Sequence, residues 1–85
     1  MQTERVLPLS DLPVGESGTV VGLEAHGPAR QRLLDLGLVP GTRVEVLRKS
    51  PGGDPVAFRF RGAVIALRRE AGRAILIRPE KRERG

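Results

Sequence analysis

The sequence predicts a mostly β protein: a small SH3-like five-stranded barrel with a short inserted α-helix. Three observations predict it. The chain has 85 residues, enough for one small domain and too few for a dinucleotide fold or an eight-stranded α/β barrel. Its short β-branched and apolar stretches are separated by Gly and Pro, the punctuation of small all-β barrels. One capped helical segment follows the first long strand, and a single-turn element precedes the last strand. In an OB-type barrel the helix falls later, between the third and fourth strands, so the order here favours the SH3-like arrangement.

Each element has a local reason. Leu7, Leu9 and Leu12 lead into Pro13-Val14-Gly15-Glu16 and read as a short strand and turn, with Ser10-Asp11 able to start one helical turn. Thr19 to Ala25 is a strand by its β-branched content. Gly27-Pro28 opens the helix, because Pro at the first helical position sacrifices no intrahelical hydrogen bond. Ala29 to Leu36 consists mostly of good helix formers. Gly37 supplies a left-handed cap, which places Leu38 where it packs back on Leu33. Val39-Pro40-Gly41 is a turn with Pro and Gly at type II positions. Thr42 to Lys49 is a strand, and Ser50 to Pro55 a loop. Val56, Phe58 and Phe60 alternate with Ala57, Arg59 and Arg61, the clearest period-two pattern in the chain. Arg61-Gly62 turns into the apolar strand Ala63–Leu67. Arg68 to Gly72 suits a 3₁₀ turn, and Ala74 to Ile77 is the last strand, stopped by Pro79. Leu33, Leu36, Leu38, Val44, Phe58, Phe60, Ile65, Leu67 and Ile75 are the expected interior. The barrel is expected to close on itself, which would remove exposed sheet edges.

Composition narrows the chemistry. There is no cysteine, hence no disulfide and no thiolate metal site. Phe58 and Phe60 are the only aromatics, which undersupplies a surface that stacks bases. Charge is uneven: residues 1–42 carry a net −2 and residues 43–85 a net +7. A basic half suits nucleic acid, an anionic membrane surface or an acidic protein patch. The interleaved Glu45, Asp54, Glu70, Glu80 and Glu83 weaken a phosphate-tracking stripe. No run approaches the roughly 20 apolar residues of a membrane span, so no membrane insertion is expected and the location expected is cytoplasmic. His26 is the only histidine, Ser10, Ser17 and Ser50 fall in turns, and no nucleophile has a neighbouring base, so no catalytic residue is assigned. The loop Ser50 to Pro55 is Gly-rich but lacks the Gly-Lys-Ser/Thr ending of a phosphate loop.

Two groups of residues are candidates for binding. Glu24 and His26 stand two apart on an expected strand, so their side chains share a face and could hold a divalent transition metal weakly; no cofactor is required. Arg30 and Leu34, four apart on the helix, lie beside its core stripe. Arg59 and Arg61 form a basic outer row on their strand, with Arg43 and Arg48 near them in the pattern. Gly27, Pro28, Gly37, Pro40 and Gly41 are read as turn and cap residues.

The run Arg30-Gln31-Arg32-Leu33-Leu34-Asp35-Leu36-Gly37-Leu38-Val39-Pro40-Gly41-Thr42 resembles the Leu-x-x-Leu-Gly-x-x-Pro-Gly signature of FeoA-type domains, the small cytosolic components of bacterial ferrous-iron transport. Leu9 to Val20 is similar to that family's opening segment. Gly53-Asp54-Pro55 and Ile65-Ala66-Leu67-Arg68-Arg69-Glu70-Ala71 look like its Gly-x-Pro loop and strand end. The likeness spans Leu9 to Ile77 with the motifs in family order. The charged run over 80–85 reads as a disordered tail by its composition; the likeness implies one domain over residues 1–79. It also implies a non-catalytic accessory that docks on the cytoplasmic, GTPase-bearing part of a FeoB-type ferrous-iron permease, with Arg30, Leu34, Arg59 and Arg61 as the expected contacts. Self-association is a further partner expectation. The alternatives are a nucleic-acid-binding barrel, which the composition disfavours, and the SH3-like domain type of iron-dependent repressors.

Overall fold

The computed structural model describes residues 5–80. Its strands are β1 (Leu7–Pro8), β2 (Ser17–Leu23), β3 (Arg43–Lys49), β4 (Val56–Phe60), β5 (Ala63–Leu67) and β6 (Ile75–Pro79), with helices α1 (Gly27–Leu36) and α2 (Arg69–Arg73). A single 3₁₀ turn occupies Leu9–Asp11, and Pro51–Gly53 is a tight turn with Gly52 at φ 84°. The mostly β, SH3-like class is therefore found, with one more strand than expected and with Arg69–Arg73 as an α-helical rather than a 3₁₀ turn. The short strand expected from Leu7 is found as β1, with two residues only, and its pairing with β6, Leu7 opposite Ile77, brings the first and last strands together.

All pairings are antiparallel, in the order β1-β6-β2-β3-β4-β5. Register shifts at Val20/Gly22 and Val46/Arg48 insert one extra residue each into β2 and β3. Such bulges bend a strand and increase its twist, the means by which a small sheet curls around its core. The inward residues Val20, Val44, Val46, Val56, Phe58, Phe60, Ile75 and Ile77 form one cluster with Leu9, Leu12, Leu33 and Leu38. Ile65 and Leu67 pack against it half-buried. Expected closure is not found: the outermost strands, β1 and β5, do not pair with each other. A two-residue strand containing Pro8, which lacks an N–H, offers little for β5 to pair with.

The helix is bounded as its residues dictate. Pro28 lies in its first turn, and Gly37 caps it at φ 106°, ψ 10°. The Gly37 N–H donates to the Leu34 carbonyl at 2.9 Å and the Leu38 N–H to the Leu33 carbonyl at 3.1 Å. These are the two bonds of a Schellman motif, and they turn Leu38 into full burial. The next turn closes with the Thr42 N–H donating to the Val39 carbonyl at 3.0 Å, with Gly41 at φ 97°. Leu36, expected inside, is 42% exposed. It stands about 60° around the helix from Leu33, and the chain reversal at Gly37 delivers Leu38, not Leu36, to the core. Glu80, placed in the expected tail, is instead held: its N–H donates to the Ser17 carbonyl at 2.8 Å and its carboxylate takes Arg43 at 2.7 Å. Residues 81–85 lie outside the described residues.

Candidate partner-docking site

The site is built on α1. Only Leu33 of this helix is buried, so the helix rests on the sheet through a narrow stripe and presents both flanks. Its C-terminal end is tied down by side chains as well as by the cap. The Thr42 hydroxyl, itself buried, donates to the Gly37 carbonyl at 3.0 Å and accepts from Arg61 Nη2 at 3.3 Å. A helix end has carbonyls without intrahelical partners, and this hydroxyl satisfies one of them. The Arg61 stem lies over the same spot: a Cβ built at Gly37 would stand 3.6 Å from Arg61 Cδ.

The two flanks differ. Arg30 and Leu34 share one side, with Arg30 exposed and Leu34 half-buried. Arg32 and Leu36 share the other, both exposed. On this second side a cleft of about 400 Å³ separates α1 from α2. Ala25, Ala29, Leu33, Ala71 and Ala74 give it an apolar lining, with Arg32, Arg68 and Glu70 as its charged groups. Small alanines leave the space, and charged groups on an apolar cleft fix the orientation of what enters. Asp54 positions the α2 side by accepting the Arg69 N–H at 2.9 Å, and Arg68 stands 3.8 Å from the same carboxylate.

The expected contact residues fall in different places. Arg61 meets the C-terminal end of α1, but it belongs to the β4–β5 turn at φ 54° and does not continue the Arg59 row. Arg59 stays on the sheet, 3.6 Å from Glu45. Arg43 is engaged by Glu80 and Ser17. The hydrogen bond from Arg43 holds the Glu80 carboxylate below its ordinary pKa, and the guanidinium is raised in return. Arg43, Arg59 and Arg68 of the basic half thus each face an acidic neighbour within the chain. Glu24 and His26 follow the end of β2 and are not on it; both are exposed, and His26 precedes α1 in extended backbone. Among the described residues no three His, Cys, Asp or Glu side chains converge. Two exposed donors do not make a metal site by themselves.

Sequence reasoning missed the cleft and Thr42. Alanines at 25, 29, 71 and 74 carry no signal of a shared surface until the fold brings them together. A buried Thr immediately after Pro-Gly was legible only as the start of a strand.

The architecture is that of a small SH3-like domain with a helix clipped across the sheet, and comparison with known proteins places it more closely. The FeoA domain family model matches residues 7–79, and the chain belongs to that family. A curated relative from Porphyromonas gingivalis, an Fe(2+) transport protein A/Fe(2+) transporter FeoB fusion protein, is 37% identical over 62 residues. That match covers 73% of this chain and 7% of the relative's length, so this chain corresponds to a small part of the fusion. The solution structure of a FeoA-like protein from Clostridium acetobutylicum superposes with a TM-score of 0.85 at 27% identity, covering 100% of this chain and 96% of the other. The Stenotrophomonas maltophilia FeoA structure, a zinc complex described as an SH3 domain protein, gives a TM-score of 0.75 at 29% identity, covering 84% of this chain and 88% of that one. Among the described residues no helix is long and apolar enough to cross a membrane.

Proposed function

We propose that this chain is a non-catalytic accessory of ferrous-iron uptake that docks through α1 on the cytoplasmic, GTPase-bearing part of a FeoB-type permease. The observation that carries the reading is the Porphyromonas gingivalis relative, in which the matching segment and FeoB are one polypeptide. Covalent linkage raises the effective concentration of two partners to the millimolar range or so. Docking on the permease, linked to it or not, needs a surface on this domain. Here α1 supplies it: Leu36 is an exposed apolar anchor, the neighbouring cleft can receive a side chain of the partner, and Arg30, Arg32 and Arg61 give basic surroundings. Leu34, half-buried, supports the helix from its other flank.

The test is calorimetric titration of a purified permease cytoplasmic domain with wild type, Leu36→Asp, Arg32→Glu and Leu34→Asp, each first shown to be folded by circular dichroism. Leu36→Asp and Arg32→Glu should weaken binding by about tenfold or more, the loss expected of interface anchors. Unchanged affinity for both, from folded proteins, would discard the face.

A further inference from the structure

The two outer edges of the sheet are defended unequally. β1 is two residues long and contains Pro8, which cannot donate. β5, Ala63-Val64-Ile65-Ala66-Leu67, is a full-length edge with no charge, no Pro and no bulge. Natural edge strands normally carry at least one such device, because an open row of N–H and C=O groups templates pairing with another chain.

The register shows which groups are open. β4 and β5 are joined by the two-residue turn Arg61-Gly62, both with positive φ, 54° and 77°. In such a hairpin the flanking pair, Phe60 and Ala63, exchanges hydrogen bonds, and bonded pairs then alternate along the ladder. Phe58–Ile65 and Val56–Leu67 are therefore bonded pairs. The N–H and C=O of Val64 and Ala66 point away from β4, and among the described residues neither finds another backbone partner. The Val64 side chain is also 57% exposed, while Ile65 and Leu67 are half-buried on the other face.

Charge at the ends of the strand selects the occupant. Arg61 precedes β5, and Arg68 and Arg69 follow it. Arg68 has a side chain 76% exposed, with its carboxylate partner Asp54 at 3.8 Å. Antiparallel pairing with a second copy of β5 would bring Arg61 of one copy opposite Arg68 and Arg69 of the other at both ends, a like-charge arrangement that destabilises strand pairs. An extended segment with acidic flanks meets the opposite condition at both ends.

We propose that the β5 edge is a strand-addition site for an extended segment of a different polypeptide, apolar or β-branched in its middle and acidic at its ends. The backbone of Val64 and Ala66 supplies the hydrogen bonds, and Arg61, Arg68 and Arg69 supply the charge selection. Arg61 also meets the C-terminal end of α1 and Arg68 lines the cleft beside it, but the outward backbone groups of Val64 and Ala66 do neither, so a response at residues 63–67 reads this proposal whether or not the α1 docking reading holds.

The test uses the ¹⁵N-labelled protein titrated with two blocked peptides, each alternating valine and threonine, one with paired glutamates at its ends and one with paired lysines. The glutamate peptide should shift the amides of residues 63–67 and protect those of Val64 and Ala66 from exchange, and the lysine peptide should bind about tenfold or more weakly. Ala66→Pro removes an outward N–H without touching the β4 ladder and should abolish binding with the fold intact. Arg68→Glu/Arg69→Glu, which leaves the backbone unaltered, should erase or reverse the preference between peptides. No response at 63–67, equal binding of both peptides, or a concentration-dependent β5–β5 contact in the protein alone would overturn the proposal.

Discussion

Replacing Gly37 by Ala isolates what the C-terminal cap of α1 contributes. Gly37 sits at φ 106°, ψ 10°, a conformation that L side chains rarely adopt. The space around it is not the obstacle. A Cβ there would stand 3.6 Å from Arg61 Cδ and from Phe60 Cε2, ordinary contact distances, so the cost is torsional. Left-handed backbone costs a residue with a Cβ about 1–2 kcal/mol. Stiffening of the unfolded chain by the new methyl returns about 0.4–1 kcal/mol. The net loss is then about 1 kcal/mol, and for a domain of this size it lowers Tm by about 4–8 °C. Asn visits the left-handed region more readily than Ala, so Gly37→Asn should fall between the two. Thermal unfolding followed by circular dichroism measures all three. Gly37→Ala melting at or above wild type, or Gly37→Asn melting below Gly37→Ala, would refute the reasoning.

Four further substitutions have defined outcomes. Leu36→Ser should leave the urea midpoint nearly unchanged, because Leu36 is 42% exposed, whereas Leu33→Ala, at a site 5% exposed, should cost about 2–4 kcal/mol. Thr42→Val keeps the shape but removes the hydroxyl that bonds the Gly37 carbonyl and Arg61, and chemical denaturation should report a loss of about 1–2 kcal/mol. The Arg43 guanidinium lowers the Glu80 pKa in the folded state, so the pair stabilises the fold above the ordinary carboxylate range and loses that effect as pH falls through Glu80's depressed value. Urea midpoints measured against pH should show wild type and Glu80→Gln converging on the acid side, with any gap at neutral pH small because both groups are exposed.

The parts of the fold legible in the sequence are those decided within a few residues. The alternation of Val56, Phe58 and Phe60 against Arg59 fixes β4, which ends at Phe60 and leaves Arg61 to the turn, and the Gly62 turn followed by an apolar run fixes β5 with the expected bounds. Pro28 and Gly37 mark the helix because their constraints are intrinsic to φ. What local pattern could not show depends on distant partners. The short strand at Leu7 was legible but its partner was not, since Leu7 and Pro8 pair with Ile77 and Leu76, and Glu80 is held because Arg43 waits 37 positions away. Leu36 looks like core by its spacing from Leu33 and is not, because the reversal after it brings in Leu38. The cleft needs α1 and α2, which the chain separates by three strands. Closure failed as an expectation for a related reason: five good strands imply no edge problem only if the outermost two can meet.

The account rests on α1 as the element that meets the permease. Hydrogen–deuterium exchange of the full chain, measured with and without a saturating purified cytoplasmic domain of a FeoB-type permease, tests this directly. Protection concentrated in residues 27–36, extending to the α2 side of the cleft at 68–74, is the predicted result. A complex that forms while 27–36 exchange as in the free protein, or a saturating mixture with no protection anywhere, would contradict it.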